Sequence, residues 1–209
     1  MAYELNGINQ YISRASAPVT APPLTLACWF NPNLLQDASL FAVGGNAGAG
    51  AWLALFTGVT GVVSASASTS GNPVAATTTA TYTTGSWNHC CGVFSANNSR
   101  TIYLNGANSV TSGTIRSPAI NETLIGARRL SNVIGSYFNG KIAEFGIWNA
   151  ALTAAEVASL ADGMTCDKVR PQSLVFYAPL VRELIDQKGG LTITNNNGAT
   201  VATHPRVYA

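Results

Sequence analysis

Charge is what this chain has least of. Only 10% of its 209 residues are Asp, Glu, Lys or Arg, well under the quarter usual for a soluble domain. The formal charge of +2 supplies no strong field of either sign, which excludes the electrostatic footprint of a nucleic-acid binder. No run of about 18 apolar residues occurs, so no membrane-spanning helix is predicted. The opening Met1-Ala-Tyr-Glu-Leu-Asn-Gly has neither a basic region nor an apolar stretch, so no signal peptide is predicted. Histidine is confined to His89 and His204. Cys28, Cys90, Cys91 and Cys166 fit neither a zinc spacing nor a small disulfide scaffold. They read as reduced, buried small hydrophobes. The alternative is a bridge from Cys28 to Cys90 or Cys91, which requires an oxidising compartment.

What the chain does have is apolar content, 47% of residues, much of it alanine. With so few charges, its surface must be built from Ser, Thr, Asn, Gln and Gly. Such a surface suits neutral ligands or protein neighbours. Turn signals recur about every ten residues, the pattern of a sandwich or barrel. Strands are predicted at 2–6, 9–14, 24–31, 38–44, 51–57, 60–68, 74–83, 86–95, 100–105, 108–114, 122–126 and 137–148. Asn97-Asn98 and Asn105-Gly106 read as tight hairpin turns.

The most informative stretch runs from Gly140 to Leu160. Ile142, Glu144, Gly146 and Trp148 alternate with Ala143, Phe145 and Ile147, which predicts a strand buried on both faces. Thr153 and Glu156 form a capping box, and Leu152 with Val157 can act as a hydrophobic staple. Gly163 is placed to stop a short helix near 154–161. A strand ending in Ile147-Trp148-Asn149 before a capped two-turn helix resembles the laminin G-like, concanavalin A-like jelly-roll family. Gly85-Ser-Trp-Asn-His-Cys-Cys-Gly-Val-Phe followed by Arg100-Thr-Ile-Tyr-Leu-Asn-Gly resembles that family's central strand pair, and Leu5-Asn-Gly-Ile-Asn-Gln-Tyr-Ile its opening strand. The resemblance implies an all-β fold, a two-sheet antiparallel jelly-roll sandwich with one short helix. Ser173-Leu-Val-Phe-Tyr-Ala-Pro-Leu, Leu191-Thr-Ile-Thr and Ala199-Thr-Val-Ala read as further strands. The run Leu174-Val-Phe-Tyr-Ala-Pro-Leu, then Asp186, Gly189-Gly190 and Asn197-Gly-Ala-Thr-Val, resembles the segment that usually opens such domains, yet here it comes last. The expectation is one domain over 1–209, with 173–209 completing the same sandwich in permuted order. The competing reading is a separate extension that packs on a partner.

Glucanases share this fold, so the acids matter. Glycoside hydrolysis needs two carboxylates flanking the bond. Glu144 is alone in its strand, with Ile142, Gly146 and Trp148 at the same-face positions. The Glu-x-Asp-x-x-Glu cluster of the related glucanases is absent. His89 and Cys91 lie two apart, formally a pair on one strand face. The resemblance instead makes His89 a structural core residue, and His204 before Pro205 reads as exposed. Calcium needs hard oxygen ligands. Asn6 and Asn9 stand where relatives often carry aspartates, and Asp186 near Gly189-Gly190 is the best remaining acid. No metal and no cofactor is expected.

Sugar binding in such folds uses an aromatic face with amide or hydroxyl partners. Trp29, Trp87 and Trp148 read as core. Trp52 follows the Gly-rich loop that contains Asn46 and is the candidate stacking platform, with burial under that loop as its alternative. Tyr82 and Tyr137 come next. Arg128-Arg129 beside Asn132 reads either as part of a polar binding patch or as a solvated loop. The functional expectation is a non-catalytic recognition or structural module. Its first form is a bacteriophage virion surface protein, a capsid decoration or fibre component, with glycan binding as an added capacity. The alternative is a lectin-like carbohydrate-binding module from a secreted protein, and a divergent glucanase comes last. The partners implied are a capsid or tail protein or a cell-surface glycan, and a second copy of the chain, with neither nucleic acid nor membrane. The location is the virion surface, otherwise extracellular.

Overall fold

The computed structural model describes residues 1–45, 50–181 and 183–208, without the side chains of 108 and 109. In chain order the strands are β1 (Ala2–Asn6), β2 (Tyr11–Arg14), β3 (Leu24–Pro32), β4 (Ala38–Gly44), β5 (Trp52–Thr57), β6 (Val63–Thr69) and β7 (Asn72–Thr77). Then come β8 (Asn88–Ala96), β9 (Ser99–Leu104), β10 (Ala107–Ser112), β11 (Glu122–Ile125), β12 (Arg128–Leu130), β13 (Val133–Gly135) and β14 (Asn139–Trp148). Helix α1 (Ala154–Ala161) precedes β15 (Leu174–Ala178), β16 (Thr194–Asn196) and β17 (Thr200–Ala202).

Two antiparallel sheets face each other. The first runs β10-β9-β8-β3-β14-β1-β17, with β15 also on β14; the second runs β16-β2-β11-β4-β5-β6-β7. Alternating apolar residues from both inner faces make the core. Phe41 of one sheet meets Phe145 of the other edge to face at 4.9 Å, the arrangement that ring quadrupoles favour. The tail joins both sheets: β15 and β17 extend the first, through β14 and β1, and β16 pairs with β2 in the second.

Several local outcomes differ from the sequence pattern. Strand β2 starts at Tyr11 because the Asn6 side chain accepts the N–H groups of Ile8, Asn9 and Gln10, which turns the chain first. Strand β14 does not keep simple alternation. Its pairing with β3 shifts register between Ala143 and Gly146, and Glu144 takes φ +54°, a β-bulge. Ile142 therefore joins Phe145 and Ile147 in the central core, whereas Trp148 faces out. There it is covered by α1, with its indole N–H on the Val169 carbonyl at 2.8 Å. Trp29 and Trp87 are half-buried rather than core.

Helix α1 begins as its cap predicts. Thr153 Oγ1 accepts the Glu156 N–H, the Glu156 carboxylate accepts the Thr153 N–H at 2.7 Å, and Leu152 and Val157 are both buried. Arg170 adds two bonds to that carboxylate. The four cysteines are buried free thiols. Cys28 and Cys90 stand opposite each other on the inner face, and Cys91 points the other way.

Candidate functional site

The acids and histidines weighed for chemistry in the sequence are engaged in the fold. Tyr177 donates to Glu144 Oε2 at 2.7 Å, and His204 Nε2 lies 3.1 Å from Oε1. His204 is thus held against the bulge rather than exposed. Burial, followed by the Glu144 charge, pushes the Tyr177 phenol well above its ordinary pKa. Burial also pushes His89 down to about 3 and raises the Cys91 thiol. A neutral imidazole beside a protonated thiol provides no nucleophile. Asp186 Oδ1 accepts the N–H groups of Tyr177 and Lys188 and so ties a turn. Among the described residues, no three His, Cys, Asp or Glu side chains come together as a metal site.

The open chemistry lies on the outer face of the second sheet. Ala42, Trp52, Ala54 and Leu124 form an apolar floor there, with Tyr11, Phe56 and Ile134 against it. The hairpin β12–β13 stands on this floor. Its base is fixed by Gly126 and Phe138. The Gly126 N–H donates to the Leu40 carbonyl, and the Phe138 N–H donates to the Gly126 carbonyl. Gly126 has φ +74°, a conformation that other residues adopt only with strain, and a Cβ there would crowd the Leu5 side chain, so the turn favours glycine.

Arg128 and Arg129 are adjacent in β12, so they leave it in opposite directions. The hairpin divides the face into two clefts accordingly. The first, about 260 Å³, is lined by Tyr11, Ser13, Arg14, Glu122, Arg129 and Thr194, among others. Arg129 Nε and Nη2 meet the two Glu122 oxygens at 2.6 and 2.8 Å, the bidentate geometry a guanidinium favours. That bond outweighs partial burial and raises the Arg129 pKa. Tyr11 and Tyr137 lie 6.1 Å apart at the side of this cleft. The second cleft, about 190 Å³, is bounded by Gly50, Trp52, Gly71, Pro73, Arg128 and Ser131, among others.

The structure brings Trp52, Arg128, Arg129 and Tyr137 to this one face. Tyr82 does not reach it. It packs edge to face on Phe30 in the core, and its hydroxyl donates to the Gly58 carbonyl at 3.1 Å. Asn46 lies outside the described residues. Trp52 reaches the second cleft but is only 3% exposed, with the Arg128 guanidinium 4.7 Å over its ring. The ring face that would stack a sugar is already covered. Sequence reasoning missed Tyr11, Ser13, Glu122 and Thr194, because their shared face comes from pairing β16, β2 and β11. The signal for the hairpin was present in Leu130-Ser-Asn-Val, a two-residue turn between apolar residues.

The family described as the concanavalin A-like lectin/glucanases superfamily matches residues 6–158. No curated protein matches the chain. Among solved structures, the heptameric SAP-like pentraxin of Limulus polyphemus is similar, with TM-score 0.74 and 15% identity over 97% of this chain and 94% of that one. Domain 4 of an extracellular arabinanase from Geobacillus stearothermophilus, in complex with arabinotriose, has TM-score 0.63 and 23% identity over 77% and 76%. The CBM40 of Ruminococcus gnavus IT-sialidase, bound to α2,3-sialyllactose, has TM-score 0.62 and 13% identity over 77% and 98%. At these identities the likeness is one of fold.

Proposed function

Because the chain belongs to the concanavalin A-like lectin/glucanase superfamily, we propose that it is a non-catalytic recognition module that binds a glycan on the outer face of its second sheet. The observation that carries this reading is the first cleft. It sets the Tyr11 ring beside the Ser13 and Thr194 hydroxyls and a fixed Glu122–Arg129 pair. An apolar ring edge with a few oriented polar groups is how a sugar is held. Two of the similar folds were solved with oligosaccharides, which supports the same class of ligand here. Among the described residues, Glu122 is the only carboxylate lining this cleft, and hydrolysis needs a pair.

A glycan array followed by calorimetry tests the proposal. Tyr11→Ala should weaken a bound oligosaccharide by about 0.5–1.5 kcal/mol, the scale of an aromatic contact. Arg129→Ala should weaken it further, since it releases Glu122. Unchanged affinity in both variants would place the ligand elsewhere. The heptameric state of the pentraxin supports self-association as part of the proposal, which light scattering measures.

A second reading is display on a virion, on a capsid or tail protein, with the extracellular space as the other location. It is supported by the low charge and by exposed Leu34, Leu35 and Val59, which lie on neighbouring loops joined by the Val59 N–H to Asp37. Detecting the chain in purified particles at a fixed copy number would support it, and absence from them would end it.

A further inference from the structure

We propose that the second cleft receives the carboxylate of an acidic sugar, with Arg128 as its counter-ion; this rests on the glycan-binding reading above and narrows its ligand class. Arg128 is held from three sides. Its Nε donates to Ser136 Oγ at 3.1 Å. Its Cζ lies 4.7 Å from the centre of the Trp52 ring and 4.8 Å from that of Phe56. Its two terminal nitrogens make no hydrogen bond among the described residues, and Arg128 lines the cleft.

The charge is also unanswered. Among the described residues no carboxylate is within ion-pair distance of Arg128, and the nearest-in-sequence acid, Glu122, is taken by Arg129 through both oxygens. None of the described residues lining the second cleft is acidic. Burial already lowers the Arg128 pKa, so the cation carries a desolvation penalty that its ring contacts offset only in part. A role confined to pinning the hairpin would use the ring contacts and the Ser136 bond alone. The remaining edge presents two parallel N–H donors, which match a carboxylate and not a lone hydroxyl. Beneath the cleft, Ser68 stands in register between Trp52 and Pro73, two of its lining residues. Its hydroxyl is buried without a partner. At about 190 Å³ the cleft is below the usual size for a drug-sized ligand and suits one terminal sugar unit.

The test uses the full chain and matched probes. A uronic-acid trisaccharide and a sialylated trisaccharide are each compared with their own methyl ester by calorimetry. Esterification removes the charge and keeps the ring. The expected result is at least tenfold tighter binding of an acid form than of its ester. Arg128→Gln should abolish that difference between acid and ester, and Arg128→Lys should keep part of it. Acid and ester binding alike would overturn the inference and leave the glycan reading standing. No binding of any probe would overturn it too, and the glycan array then decides the wider reading. The comparison within the parent protein holds even if a variant fails to fold. Propionate competing as well as the acidic sugar at equal concentration would also overturn it, because a carboxylate of any source would then suffice.

Discussion

Tyr3 and Ala178 share one edge of a single strand. Tyr3 lies opposite Ile142 and Ala178 opposite Phe145. Strands β15 and β1 both run antiparallel to β14, so Leu174 to Ala178 leads directly, in space, into Ala2 to Asn6. The two segments form one composite strand that the chain fills from both of its ends. Ala202 then faces Ala2, so β17 and β1 are related as the arms of a hairpin would be.

That geometry yields the first prediction. Deleting 172–209 removes Phe176, Ala178, Leu180 and Ile193, all buried in the central core. The truncated chain should be insoluble or fail to show a cooperative melt. A reordered chain that starts at Gln172, runs to Thr203 and continues through a short Asn-Gly turn into Ala2 should fold. A soluble, monomeric truncation with a normal melting curve would show instead that the tail is dispensable to the sandwich.

The second concerns α1. Thr153→Ala removes the acceptor for the Glu156 N–H and should destabilise the protein by about 1 kcal/mol. For a chain of this length that lowers Tm by roughly 2–4 °C, which differential scanning calorimetry resolves.

Acid should act on the same cap. Burial works against the Glu156 charge, but the Thr153 N–H and Arg170 hold its carboxyl below the ordinary value. A depressed folded-state pKa means a stabilising contribution that is complete above the unfolded value of about 4.3 and lost as pH falls through the folded one. The Tm gap between the parent and Glu156→Gln should therefore be constant near neutrality and close below about pH 4. A gap that widens in acid would reverse the assigned sign.

Thiol chemistry gives a further check. Burial raises the pKa of Cys28, Cys90, Cys91 and Cys166. The folded protein should react negligibly with an aromatic disulfide reagent at pH 8. The denatured, unreduced protein should release four equivalents, one for each free cysteine.

Hydrolysis is the last. Glu144 is engaged by Tyr177 and His204, and Glu122 by Arg129. No reducing sugar should be released from any β-glucan. Release that disappears in Glu144→Gln would show that the bulge carries catalysis.

Much of the frame was legible from the sequence because it rests on local rules. Strand alternation placed β3, β4 and β8 to within a residue or two, and Thr153 with Glu156 marked the start of α1. Position 144 was not legible, because a bulge changes which side every later residue faces. The candidate face was legible only in part. Arg128 and Arg129 look alike in sequence, yet one lies on two aromatic rings and the other closes on Glu122. What separates them is the hairpin's orientation on the sheet, which pairing between distant strands decides. Trp52 shows the same limit. Its strand position was plain, but nothing nearby in sequence announced that Arg128 would cover it.

The hairpin also bears on how this protein can change. Residues 128–135 form the wall between the two clefts, while the floor belongs to strands whose other face is core. Substitutions at the turn, Ser131 and Asn132, or at Arg128 and Arg129, reshape either cleft without disturbing the packing between the sheets. On the glycan-binding proposal, ligand preference can thus drift in this eight-residue segment. Related chains with the same frame would be expected to diverge fastest there.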